Sequence, residues 1–211
     1  MQSLALPLDN IFFPSKIPSQ KLLVVLHGRG DSSEGFLNLR DFINIDEMNY
    51  LLLDAPFEYF GGRSWYNLPP HQLPGIEYSR EVLTELFDRL FEENFRPEDT
   101  FLFGFSQGSL LTFEFGGRYE KSFAGYIGIS GYIYDTEKLL EEADRKVIQG
   151  SWLCTHGRFD NVLAYEISKE QVERLQKGGW NIEFHSYDKE HTIDRDELEM
   201  VSQWIQKRLY N

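Results

Sequence analysis

The chain has 211 residues, 41% of them hydrophobic, with 17 Phe and 11 Tyr, enough apolar surface to offset the entropy of ordering a core and to exclude intrinsic disorder. Its 34 acidic and 21 basic residues leave a formal charge of -13, which argues against nucleic acid as a partner, against stable membrane association and against a polyanionic substrate. A single cysteine, Cys154, excludes an internal disulfide and fits a reducing compartment.

The first sixteen residues have no basic residue before Lys16 and carry Pro7, Asp9 and Pro14, unlike the basic-then-apolar layout of a secretory signal. No apolar run approaches the ~18 residues of a membrane helix. The expectation is a cytoplasmic chain folding as one domain over residues 1–211. Its oligomeric state is not legible.

Taken in chain order, residues 22–26 form the first strand, apolar on both faces, and run into His27-Gly28-Arg29-Gly30-Asp31. Helical spacing follows over 33–43, a strand over 50–53, and then a stretch without period at 55–75 that holds four prolines. A loop of that length in a compact domain is functional or covers a site. Residues 76–95 carry Val82, Leu83, Leu86, Leu90 and Phe91 at three- and four-residue steps, an amphipathic helix that Pro97 closes.

Strands then alternate with helices: 100–105, 124–129, 152–155 and 182–187 as strands, and 109–119, 136–143, 164–177 and 194–209 as helices. Such alternation predicts a mostly parallel twisted sheet with helices on both faces, its functional loops at the carboxyl ends of the strands.

The most informative segment is Gly104-Phe105-Ser106-Gln107-Gly108, because it joins a strand pattern to a helix pattern. A G-x-S-x-G turn in that setting is a nucleophile elbow, with the serine hydroxyl thrust clear of the sheet. Ser106 is therefore the expected nucleophile. A serine hydroxyl needs a base, normally an imidazole oriented by a carboxylate.

Of the five histidines, His191 lies in the polar loop before the last helix, where it can swing over the sheet ends. His27 ends a strand and braces a loop, His185 sits inside a strand, and His71 and His156 are placed to line the site without acting as base. Asp160, in the turn after the strand at 152–155, is the expected acid, with Asp188 and Asp194 as nearer alternatives in sequence. The oxyanion donors are assigned to the backbone N–H groups of Gln107 and Arg29.

With these segments assembled, the chain resembles the phospholipase/carboxylesterase family of α/β-hydrolases, which includes acyl-protein thioesterases. The matching pieces are Leu26 to Asp31, Arg63-Ser64-Trp65-Tyr66, the elbow, Ser130-Gly131, His156 to Asp160 and His191-Thr192-Ile193. The resemblance implies an α/β-hydrolase fold and hydrolysis of small-molecule carboxylic esters or thioesters through an acyl-serine intermediate, with no metal and no organic cofactor. It also implies an acyl cleft, for which Leu73, Tyr132 and Phe159 are the candidate lining.

The chain departs from the family pattern at three places. Glu190 precedes the histidine where glycine is common, Ala164 stands where proline often follows the acid loop, and Leu110-Leu111 replaces a pair of small residues. Glu190 opens the alternative of a binding member whose base is disabled. A peptidase or lactone hydrolase on the same scaffold is a further alternative.

Overall fold

The computed structural model describes residues 2–93 and 95–210. Asn94, inside the helix expected over 76–95, lies outside the described residues, as do the two ends of the expected domain. In chain order the elements are β1 (Asn10–Phe13), β2 (Leu22–Leu26), α1 (Leu39–Ile43), β3 (Asn49–Leu53), β4 (Phe57–Tyr59), β5 (Gly62–Ser64), α2 (Leu73–Glu93), β6 (Thr100–Phe105), α3 (Gln107–Gly116), β7 (Gly125–Ile129), α4 (Thr136–Glu142), α5 (Arg145–Ile148), β8 (Trp152–Gly157), α6 (Tyr165–Lys177), β9 (Ile182–Tyr187) and α7 (Arg195–Tyr210).

Seven strands form one sheet in the order β1-β3-β2-β6-β7-β8-β9. All neighbours are parallel except β1, which runs antiparallel to β3. The expected α/β architecture is thus present: an α/β-hydrolase sheet covered on both faces. Successive strand residues alternate between the two layers: Leu22, Val24 and Leu26 pack under α2 and α3, while Leu23 and Val25 pack under α1 and α7. This two-sided burial is why those strands read as unbroken apolar runs.

The chain moves outward from β2 to β3 and then crosses back to lay β6 on the other side of β2. A crevice opens at the carboxyl ends of strands where the order reverses. The loops that meet there follow β2 and β6, and they hold Gly28 to Asp31 and the elbow.

Several local expectations are corrected. The helix expected over 33–43 is two pieces, because Ser32 caps a short 3-10 turn at Ser33–Phe36 and α1 starts only at Leu39. The stretch at 55–75 contains the β4-β5 hairpin, and α2 begins three residues early at Leu73. β1 was not anticipated; as an edge strand it is only half-buried and short, so its pattern is weak. β8 runs to Gly157, which places His156 in the strand. His185 is exposed, since it lies on the edge strand β9.

No helix of the described residues is long and apolar enough to cross a membrane. The hairpin is tied to the loop after β2 by backbone hydrogen bonds from Gly30 N–H to Arg63 O (2.7 Å) and from Arg63 N–H to Asp31 O (2.8 Å). His27, 1% exposed, braces the same loop: its Nδ1–H donates to Gly28 O (2.6 Å) and its Nε2 accepts from Ala55 N–H (3.0 Å).

Burial holds the His27 ring below its ordinary value of 6.5, against the opposing hydrogen bond to Gly28. Burial acts in the same direction on His156. A folded value below the unfolded one means that the unfolded chain takes up the proton first, so stability is lost as pH falls below about 6.5. Each ring withdraws up to about 1.4 kcal/mol per pH unit in that window. Urea midpoints at pH 7, 6 and 5 should therefore fall steadily, and less steeply for His27→Gln; a midpoint independent of pH would contradict this account.

Candidate active site

Ser106 follows β6 directly and caps α3, at φ 54° and ψ -111°. A non-glycine residue with positive φ is strained and persists only where its surroundings impose it. Those surroundings are backbone. A Cβ on Gly108 would lie 2.1 Å from Leu26 O, and one on Gly104 would lie 2.2 Å from Gly108 O. The two glycines let β2, β6 and α3 approach closely enough to force the turn. Gly28 sits against Ser106, with a Cβ there reaching Ser106 Cβ at 3.3 Å.

The structure brings Ser106, His191 and Asp160 together. Ser106 Oγ–H donates to His191 Nε2 at 2.9 Å, and His191 Nδ1–H donates to Asp160 Oδ2 at 2.7 Å. The carboxylate at Nδ1 sets the tautomer, leaving Nε2 free to accept. Phe105 packs its ring 5.1 Å from the imidazole. Asp188, by contrast, pairs with Arg158 on the surface.

Asp160 is 9% exposed. Burial pushes its carboxyl up, but the Leu163 and Val162 N–H groups (2.8 and 2.9 Å) and the His191 ring together outweigh it and hold the group below its ordinary range. The acid is therefore ionised at neutral pH. His156, fully buried, stands beside it: Nε2–H donates to Leu163 O at 2.9 Å and lies 3.3 Å from Asp160 Oδ2. It braces the Asp160 loop through Leu163 O, near the same carboxylate oxygen that His191 meets.

Gln107 opens α3, where first-turn N–H groups have no partner within the helix. Its side chain does work the motif did not signal: Oε1 accepts from Trp65 N–H (3.0 Å) and Ser64 Oγ–H (3.1 Å), and Nε2–H donates to Tyr66 O (2.8 Å). The elbow is thereby stitched to the segment after β5. Trp65, fully buried, donates Nε1–H to His27 O at 2.9 Å. Arg29 stacks its guanidinium over Tyr59 at 5.2 Å.

Of the candidate cleft residues, Tyr132 is half-buried, with its hydroxyl 3.4 Å from that of Tyr66. Leu73 opens α2 at 37% exposure and Phe159 is 63% exposed. A cavity of about 360 Å³ that reaches His191 lies instead on the α1 and α7 side, lined by Phe36, Leu39, Phe42, Phe105, Ile193 and Leu198. Sequence reasoning missed it because its walls come from three separate segments. A larger groove of about 700 Å³ runs along α2 and the end of α3, among Glu77, Arg80, Asp88 and Arg118, away from the serine. Among the described residues, no three His, Cys, Asp or Glu side chains are grouped to hold a metal ion.

A model of the phospholipase/carboxylesterase family matches residues 11–209. The chain belongs to that family. It is 26% identical over 211 residues to carboxylesterase SOBER1 of Arabidopsis thaliana, covering 90% of this chain and 92% of the relative. It is 22% identical over 225 residues to acyl-protein thioesterase 1 of Yarrowia lipolytica, covering 96% and 98%. Among solved structures, the crystal structure of esterase PE8 superposes with a TM-score of 0.86 at 26% identity, covering 95% of this chain and 98% of that one.

As a phospholipase/carboxylesterase family member the chain is a hydrolase, and its departures from the family pattern are accommodated locally. Glu190 turns its side chain to solvent while its backbone O accepts from Thr192 N–H at 2.9 Å. Leu110 and Leu111 are fully buried in the layer under α2. Ala164 caps α6 in an extended conformation that proline also adopts, with φ -58°.

Because Gly108 has no room for a methyl group, Gly108→Ala should open the β2-α3 contact and destabilise the fold by about 1–3 kcal/mol. Thermal unfolding together with fluorophosphonate labelling checks this. A variant with native stability and native labelling rate would contradict the packing argument.

Proposed function

We propose that the chain is a serine hydrolase that cleaves small-molecule carboxylic esters or thioesters of short to medium acyl chains, working as one domain over its whole length. The observation that carries this reading is the unbroken hydrogen-bond chain from Ser106 through His191 to Asp160.

In the proposed mechanism, Ser106 Oγ attacks the acyl carbonyl while His191 Nε2 takes the hydroxyl proton, and Asp160 steadies the imidazolium that forms. The tetrahedral oxyanion is held by the backbone N–H groups of Arg29 and Gln107. Its collapse expels the alcohol or thiol, which receives the proton from His191, and leaves an acyl-serine. Water activated by the same imidazole then releases the acid and restores the hydroxyl.

The cavity beside His191 has an apolar side formed by Phe36, Leu39, Phe42, Phe105 and Leu198 and a polar side formed by Asp31, Asn38 and Thr192; the apolar side supports a substrate with a hydrophobic arm, and a volume of about 360 Å³ suits short to medium chains. Thioesters are the second reading, favoured by the thioesterase relative. The alternative of a member silenced by Glu190 has less support, since the imidazole keeps both of its hydrogen bonds with Glu190 in place.

Turnover of p-nitrophenyl butyrate and of a matched thioester tests the proposal, with fluorophosphonate labelling as an independent readout. Ser106→Ala should abolish labelling and lower kcat by at least ~10⁴-fold. Asp160→Asn should lower kcat by ~10³–10⁴-fold, because the amide leaves His191 in the wrong tautomer. A native chain that neither labels nor turns over any member of an acyl-length series would defeat the reading.

A further inference from the structure

The loop that carries His191 is anchored by a charge pair that the chemistry just described does not use. Lys189 and Glu197 have side chains only 2% and 0% exposed, with Nζ 2.7 Å from Glu197 Oε2. The ammonium donates also to Ser130 Oγ at 3.3 Å and to Thr192 O. Its three protons therefore have three acceptors. Glu197 Oε2 accepts in turn from Asp194 N–H at 3.3 Å, at the entry to α7.

Lys189 works through its backbone as well. Its carbonyl accepts from Phe159 N–H at 3.1 Å, and a Cβ on Gly157 would lie 2.3 Å from that same oxygen. The turn that holds Asp160 is thus pressed onto residue 189. Ser130, the third partner, has φ 47° and donates its N–H to Thr155 O at 2.8 Å. One side chain joins the end of β7, the base loop and α7, while its main chain joins the acid loop. His191 lies between Lys189 and Thr192, two points held by this lysine.

A buried ion pair is weak support for stability, since desolvating both charges offsets their attraction and apolar replacement of the pair is often neutral or stabilising. Its location suggests a different use. We propose that the buried Lys189–Glu197 pair positions the base, fixing the 188–194 loop so that the His191 imidazole stays in line between Asp160 and Ser106. Lys189 touches no substrate in this scheme and acts through Thr192 O. The inference rests on His191 being the base.

A double variant, Lys189→Met with Glu197→Leu, removes both charges and keeps the volume apolar. The single variant Lys189→Met leaves Glu197 buried without its cation and should unfold at a lower temperature, with the double variant recovering that loss. Positioning predicts that the recovered, folded double variant still shows kcat reduced 10- to 100-fold, the scale of an imidazole misplaced by about 1 Å, with KM for p-nitrophenyl butyrate within about twofold of native. A merely structural role predicts that kcat returns together with stability, and that result would overturn the inference.

Where the double variant does not fold, Glu197→Gln replaces it. That change keeps size but replaces the carboxylate by a neutral amide oxygen, so the lysine is held more weakly, the 188–194 loop gains freedom and kcat should fall at constant KM; native kcat in folded Glu197→Gln would equally overturn the proposal. Ser106→Ala serves as control. Activity surviving in that control would refute the catalytic reading itself, whereas a dead control beside a fully active double variant refutes only the positioning role.

Discussion

The close approach of three backbones, β2, β6 and the start of α3, is the constraint on which the rest of the structure depends. Gly108 against Leu26 O, and Gly104 against Gly108 O, leave no space for a side chain at either position. The turn between them has to be tight, and Ser106 takes up the strain at φ 54°. Strain of this kind costs of order 1–3 kcal/mol and is held by surrounding packing. Here that packing is the buried sheet centre, where Leu22 to Leu26 and Phe101 to Phe103 are almost wholly excluded from solvent. The hydroxyl is raised out of the sheet because the layers beneath it cannot relax.

The distribution of charge follows the same division between surface and interior. Most of the acidic excess is solvated, while Asp160, Glu197 and Glu114 inside each face an opposing charge or donor, with Glu114 Oε1 and Glu197 Oε1 left without a hydrogen bond among the described residues. Asp160 is matched by two backbone N–H groups and an imidazole, Glu197 by Lys189, and Glu114 by Arg118 at 2.9 Å. Burial pushes the Glu114 carboxyl up, opposed by the arginines beside it. The matched groups at the site lie in the loops after β8 and β9 and in the first turn of α7. Polar pairs there hold loop geometry that apolar contacts, being non-directional, would leave loose.

Much of this architecture was legible before any coordinates. The strands β2, β3, β6, β7 and β9 stand within a residue of where their apolar runs place them, because burial on two faces demands an unbroken run. The long amphipathic helices α2 and α7 were equally clear from their stripes. What failed was short or marginal. β1 and the β4-β5 hairpin owe their form to hydrogen bonds with β3 and with residues 30 and 31, not to local pattern. The break between Ser33 and Leu39 arises from the Ser32 cap, which a helical periodicity conceals.

At the site, the motif around Ser106, the loop positions of Asp160 and His191 and their order along the chain marked the three residues that the fold joins by hydrogen bonds. The contacts of the Gln107 side chain, His156 and Lys189 were not legible, since each reaches a residue on another loop or element of the fold. The cavity beside His191 was hidden for the same reason. By itself, then, the sequence determined the alternating layers, the turn at Ser106 and the polar residues carried by the loops that follow, all of which are written in local spacing and residue chemistry. Only the tertiary structure decided which atoms meet, because distances between loops at the ends of different strands are set by sheet order and packing, and neither is encoded in any single segment.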